Sequence, residues 1–151
     1  MTPELLLQGG LRRALELAVE RLNDAQEKLQ CNLFTNLAQE PATDGRALAL
    51  YRCFQELSNN VLRHAGATRL DVQLNSDASE LQLIVEDNGK GFDPETAKGG
   101  LGIPNLRSRM EAYGGTLVID SAPGHGTTAV LEFRLSAGAT VTISKGAVWS
   151  Q

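Results

Sequence analysis

Four short stretches of the sequence carry residue types suited to phosphate, metal or base chemistry. The first is Glu56-Leu57-Ser58-Asn59-Asn60-Val61-Leu62-Arg63-His64. Glu56, Asn60 and His64 fall at i, i+4 and i+8, and Arg63 follows Asn60 by three, so a helix would bring all four to one side. Taken alone this is also the look of a solvated polar face. Two adjacent asparagines in mid-helix, however, cost on the order of a few tenths of a kcal/mol each relative to good helix formers. A local cost without a packing return is a mark of functional positions. The second stretch, Asp87-Asn88-Gly89-Lys90-Gly91-Phe92, closes an apolar strand pattern. Its glycines permit close approach of backbone to a ligand, and its carboxylate can accept from an amino group. By itself it could be a plain turn. The third, Gly99-Gly100-Leu101-Gly102, runs directly into a helix at Ile103, where free N–H groups and the helix dipole favour an anion. The fourth, Gly124-His125-Gly126-Thr127-Thr128, is a tight turn before a strand and is ambiguous alone. No Walker loop is present, because Gly89-Lys90 is followed by glycine, and neither a dinucleotide fingerprint nor a calcium loop fits.

The elements that must position these stretches are legible from periodicity. Leu11, Leu15, Ala18, Leu22 and Ala25 predict a helix over residues 10–26, preceded by a break at Gly9-Gly10. Leu29, Cys31 and Leu33 alternate as a half-buried strand. A polar loop over residues 39–45 contains Pro41, and Thr43 or Asp44 can cap a helix beginning after it. Residues 46–65 carry the strongest helical pattern, with Leu50, Phe54, Leu57 and Val61 as a stripe that Tyr51 and Leu62 widen. Strands are predicted around Leu70-Val72-Leu74 and Leu81-Leu83-Val85, joined by a hairpin turn at Asn75-Ser76-Asp77. Residues 87–102 read as loop, with five glycines in sixteen residues. A short helix over residues 103–113, with Pro104 in its first turn and Gly114 at its stop, precedes strands over residues 116–121 and 127–135. This order predicts an α+β two-layer sandwich, a mixed sheet with helices on one face.

Composition bounds the rest. The chain has 151 residues, enough for one sizeable core. Net charge is −4, and no Lys/Arg run forms a basic patch, which excludes a general nucleic-acid surface. Cys31 and Cys53 read as buried free thiols, in keeping with a reducing cytoplasm. No signal peptide and no membrane-length apolar run occurs, so no membrane contact by this chain is expected. The last residues, 136–151, are small and weakly patterned; Val141 and Ile143 suit an edge strand, and a disordered tail suits the segment as well.

In this order and spacing, the four stretches resemble the N, G1, G2 and G3 boxes of the GHKL (Bergerat-fold) ATPases, a superfamily that includes histidine kinases, gyrase-type topoisomerases, Hsp90 chaperones and MutL. Tyr51-Arg52 through His64-Ala65, then Asp87 through Phe92, then Gly100-Leu101-Gly102 with Leu106 and Arg109-Met110, look like the NarL/DesK-type two-component sensor kinases. Gly10-Leu11 with Ala14-Leu15 is similar to that group's connection out of its dimerisation helices. The resemblance divides the chain into a connecting helix over residues 1–28, an ATP-binding domain over residues 29–135 and a tail over residues 136–151.

The resemblance implies ATP and Mg²⁺ as cofactors. Asn60 would hold the metal through its side-chain oxygen, Glu56 would polarise the nucleophile or a metal-bound water, and Arg63 and His64 would face phosphate. Asp87 would read the adenine amine, with Gly89 and Gly91 letting the base lie against backbone and Thr127 beneath it, directly or through water. Gly100, Leu101 and Gly102 would close a lid formed by residues 93–102. Implied partners are a dimerisation domain carrying the phosphoacceptor histidine and a downstream response regulator. His64 and His125 are followed by Ala and Gly and lie in nucleotide boxes, so neither is a credible acceptor. The chain is therefore expected to be a truncated piece, or a stand-alone domain acting on a partner. The boxes are shared with serine kinases that inhibit sigma factors and with nucleotide-dependent switches of the Hsp90 or MutL kind. Those switches carry longer insertions where this chain has a hairpin.

Overall fold

The computed structural model of the chain describes residues 3–93 and 102–135. Its elements, in chain order, are α1 (Pro3–Ala25), β1 (Gln30–Leu37), α2 (Gly45–Asn60), a single π turn (Val61–Ala65), β2 (Arg69–Ser76), β3 (Glu80–Asp87), α3 (Ile103–Glu111), β4 (Thr116–Ser121) and β5 (Thr127–Arg134). The five strands form one mixed sheet in the order β1-β2-β3-β5-β4, with β1 parallel to β2 and every other pairing antiparallel.

Alternation along the strands decides which face the helices cover. Leu70, Val72 and Leu74 of β2, Leu81, Leu83 and Val85 of β3, and Ala129, Leu131 and Phe133 of β5 are buried. The opposite face presents Gln73, Asn75, Gln82, Glu86 and Glu132. The described helices thus pack on one side, as the α+β two-layer pattern predicts. The helical layer contributes Leu11, Ala14, Leu15 and Val19 from α1, Leu50, Phe54 and Leu57 from α2, and Leu106 and Met110 from α3 to the same core.

The helix starts are set by local chemistry. Gly10 adopts φ 80° and ψ 175°, a conformation closed to helix, so α1 is two helical pieces meeting at the predicted break. Asp44 caps α2, its Oδ1 accepting from the N–H groups of Arg46 (3.0 Å) and Ala47 (3.3 Å). The same carboxylate pairs with the Arg46 guanidinium at 2.9 Å. Asn23, in α1, binds the outer edge of β1 through both arms of its amide: Cys31 N–H donates to Oδ1 (2.7 Å) and Nδ2 donates to the Cys31 carbonyl (2.9 Å). An edge strand's free polar groups are covered there by a helix.

Several sequence expectations shift. The β1 strand runs on to Leu37, because parallel pairing with β2 satisfies its backbone where side-chain alternation fades. The β2–β3 turn lies later than Asn75-Ser76-Asp77: Ser76 still pairs with Leu81, and Asp77 Oδ1 makes the turn by accepting from Ser79 N–H (2.8 Å) and Glu80 N–H (2.9 Å). Residues 46–65 do not form one uniform α-helix. The π turn widens the last turn, and Leu62, expected in the buried stripe, is 40% exposed while Val61 stays buried. In α1, Ala25 is exposed and Ala14 and Val19 are buried in its place. None of the described helices is long and apolar enough to cross a membrane. The expected tail, residues 136–151, lies outside the described residues.

Candidate functional site

An open-sided cavity of about 160 Å³ lies between the end of α2 and the sheet. It brings together residues from three of the four stretches: Asn60 and His64 from the helix, Asp87 and Gly91 from the strand end, and Thr127 from the last turn. Its walls are apolar, built by Leu57, Val61, Val85, Ile103, Ile119 and Ala129. A slot with apolar walls and one carboxylate among its lining groups suits a flat heterocycle bearing an amino group.

The carboxylate is held rigidly. Gly89 N–H donates to Asp87 Oδ1 at 2.8 Å, and Thr127 N–H also donates to the Asp87 carboxylate. Burial pushes the Asp87 carboxyl above its ordinary value, and neighbouring Glu86 adds to that; the two N–H donors pull the other way without reversing it. The neighbouring Asn88 faces away from the slot and staples the loop down. Its Oδ1 accepts from the N–H groups of Thr68 (2.9 Å) and Arg69 (2.8 Å), and its Nδ2 donates to Thr68 Oγ1 (2.9 Å). Asp87 is therefore delivered to the slot by a strand end fixed on both sides.

Two glycines make the loops fit. Gly91, at φ 65°, lies so close to the Ala122 carbonyl that a Cβ would overlap it, and Gly126, at φ 74°, stands in the same relation to the Asp87 carbonyl. The loop after β3 and the turn before β5 are thereby pressed together, with Gly124 N–H bonded to the Lys90 carbonyl at 2.5 Å. Ser121, at the end of β4, ties the same junction. It accepts from Phe92 N–H (2.9 Å), donates toward the Gly126 carbonyl (3.1 Å) and shares a hydrogen bond with Thr127 Oγ1 (2.8 Å).

The remaining predicted residues fall around the cavity rather than in it. Glu56 is half-buried one turn before Asn60, its carboxylate against Gly102, where an added Cβ would meet Oε1 at 2.7 Å. That places a negative charge at the start of α3, which the helix dipole favours. Arg63 is exposed on the π turn and does not line the cavity, because that turn's geometry directs it to solvent. Gly89 acts through its N–H on Asp87 and does not itself line the slot. Gly102 starts α3 with φ 69°. At this helix start Pro104 has no N–H, and Asn105 N–H is already bonded to the Gly102 carbonyl at 3.1 Å. The described N-terminus thus offers fewer open donors than its sequence suggests. Gly100 and Leu101 lie outside the described residues, as do residues 94–99 of the expected lid.

Lys90, Phe92 and Ser121 were not singled out as site residues by sequence reasoning. Lys90 and Phe92 sit within a recognised stretch, so their position carried a signal; Ser121 ends an unremarkable strand and carried none. The wall residues read only as core, since an apolar slot and an apolar core have the same periodicity.

The fold and this geometry match a known family. The chain belongs to the histidine kinase-, DNA gyrase B- and HSP90-like ATPases, whose family model matches residues 45–137. Among similar proteins, sensor histidine kinase MctS of Rhizobium johnstonii is 37% identical over 135 residues, covering 85% of this chain and 28% of that protein. Signal transduction histidine-protein kinase/phosphatase DegS of Brevibacillus brevis is 32% identical over 90 residues, 59% of this chain and 23% of that protein. Among solved structures, the histidine kinase domain of the Erythrobacter litoralis EL346 blue-light activated histidine kinase superposes with a TM-score of 0.63 at 25% identity, covering 84% of this chain and 60% of that one. The chain spans less than a third of the length of these two relatives. These relatives are named as histidine kinases, so the serine-kinase and chaperone-switch readings are not favoured.

Proposed function

We propose that this chain is the ATP-binding catalytic domain of a NarL/DesK-type sensor histidine kinase. It holds Mg-ATP and offers the γ-phosphoryl group to a histidine on a separate dimerisation domain, from which a response regulator receives it. The observation that carries the reading is the Asp87 carboxylate, held by Gly89 N–H, in an apolar slot that Asn60 and His64 also line.

The amino group of adenine would donate to Asp87, with Val85, Gly91, Ile119 and Ala129 among the residues lining the slot around the ring, and the phosphates would lie toward Asn60 and His64. Asn60, half-buried and lining the slot, carries an amide oxygen of the kind a hard divalent ion accepts while keeping most of its waters. Among the described residues no group of three or more His, Cys, Asp or Glu gathers as a metal cage, so phosphate oxygens and water would complete the coordination. Bound there, the ion would neutralise phosphate charge. His64 would flank the phosphates, and Arg63, exposed on the neighbouring turn, would face them from outside the slot. Glu56, beside Gly102 at the start of α3, would accept a hydrogen bond that orients the incoming nucleophile. The acceptor imidazole nitrogen bonds to the γ-phosphorus as the bond to the β–γ bridging oxygen breaks, and ADP leaves with that electron pair.

The test is to mix the chain with a separately produced dimerisation domain of a sensor kinase and Mg-ATP. An acid-labile, base-stable phosphohistidine on the added domain is expected, and its absence with Asn60→Ala. Phosphoserine on a protein partner would transfer the chain to the serine-kinase reading instead.

A further inference from the structure

Strand pairing sets apolar side chains of the sheet's open face in one row. Phe34 of β1 pairs with Gln73 of β2, Gln73 with Ile84 of β3, Ile84 with Val130 of β5, and Val130 with Val118 of β4. Residues paired in this way share a face of the sheet. Phe34 is 55% exposed and Val118 61% exposed, while Ile84 and Val130 are half-buried. Single apolar residues on a solvated face are ordinary, but a run in register over β3, β5 and β4 is a continuous patch. The two flanks of this row differ. On one side the groups satisfy each other, Asn75 Nδ2 donating to Gln82 at 2.8 Å and Gln82 Nε2 to Glu132 at 2.7 Å. On the other side Asp71 pairs with Glu86, Glu86 with Thr128, and Thr128 with Asp120. Asp71 is engaged by Arg69 at 3.0 Å and by the Asn32 amide at 2.9 Å. Glu86 and Asp120 are exposed, and neither takes part in an ion pair among the described residues.

We propose that this face docks a basic amphipathic helix of a protein partner. Neighbouring strands lie about 4.8 Å apart, so Glu86 and Asp120, two strands apart, are separated by roughly 10 Å. That is the rise of about seven residues of helix. A helix with Lys or Arg at i and i+7, and an apolar stripe beside them, meets both carboxylates and the Ile84–Val130–Val118 row together. A second copy of this chain would bring its own acidic face, and an anionic lipid surface would meet like charge, so neither fits as well. The face lies across the sheet from the slot, so docking there is independent of the nucleotide reading.

The probe is a pair of synthetic helical peptides with one leucine stripe, flanked by lysine in the first and glutamate in the second. Each is titrated calorimetrically into the full chain. The lysine peptide is expected to bind one to one, at least about tenfold tighter than the glutamate peptide, and to weaken as salt is raised. Val118→Asp should abolish binding while the circular dichroism spectrum is retained. Glu86→Lys combined with Asp120→Lys should reverse the preference toward the glutamate peptide, an outcome that indiscriminate apolar adhesion cannot produce. The charge-reversed chain also serves if Val118→Asp fails to fold, since it leaves the apolar row intact. No binding of the lysine peptide, equal affinity for the two, or a preference that does not reverse would overturn the proposal. Dimerisation that Val118→Asp abolishes would overturn it in favour of a self-interface. Binding that emerges only after removal of residues 136–151 would overturn it in favour of the chain's own tail.

Discussion

At the scale of single residues, burial acts in the same direction on the acid and on the thiols of this domain, favouring their neutral forms. Asp87 has its carboxyl raised by desolvation. A raised carboxyl stabilises the fold below the ordinary value of 3.8, and that contribution is lost as pH rises through the folded value. Ionised Asp87 is therefore a cost to the empty fold at neutral pH, which an amino-bearing base offsets. Nucleotide affinity should fall on acidification as the carboxylate is protonated, beginning at a higher pH than an exposed aspartate would give. Calorimetric titrations at stepped pH check this; an affinity flat into the acid range would count against Asp87 as the acceptor. Asp87→Asn should weaken ATP about ten- to a hundredfold while the circular dichroism spectrum is retained. The thiols are simply closed off. Burial, with a contribution from Asp71, pushes Cys31 up to about 12, and burial pushes Cys53 up to about 11. Neither should react with iodoacetamide at mildly alkaline pH until denaturant is added, as intact-mass measurement would reveal. Asp87 was legible as a candidate carboxylate from its place between a strand and glycines. The Ser121 tie was not, because it arises only when β4 meets β5 and the loop after β3.

Elements hold these residues through caps, staples and missing side chains. Removing the α2 cap with Asp44→Ala should lower stability by about 1 kcal/mol in urea unfolding. Asn88→Ala should also destabilise, since it releases the start of β2 from the end of β3, and it should weaken ATP indirectly by loosening Asp87. Gly126→Ala combines a strained positive φ with overlap on the Asp87 carbonyl, so loss of binding together with loss of stability is expected. The sequence announced helices and strands well where periodicity was strong, as in residues 46–61, β2, β3 and β5. It was blind where backbone pairing or local geometry decided the outcome. The far half of β1 depends on β2 for its partners, the β2–β3 turn depends on the Asp77 side chain, and the π turn leaves the i, i+4 spacing of Asn60 and His64 intact while sending Leu62 and Arg63 outward. Sequence spacing alone cannot distinguish α from π periodicity over one turn.

For the molecule as a whole, one face of the sheet carries the helices and the site, and the strand ends converge where three loops meet. Three of the four stretches lie at element ends that the two-layer order brings to one cavity. Mg-ATP should raise the melting temperature of the folded chain, and Asn60→Ala should abolish the magnesium-dependent part of the rise without preventing residual nucleotide binding. The central claim is that a fixed carboxylate and an apolar slot select an amino-bearing purine. Isothermal titration of the chain with Mg-ATP, set beside Mg-GTP, tests it most directly. The account predicts saturable heat at one site for ATP, at least about tenfold weaker binding of GTP, and loss of that preference in Asp87→Asn. No heat with Mg-ATP, or equal affinities for the two nucleotides, would contradict it.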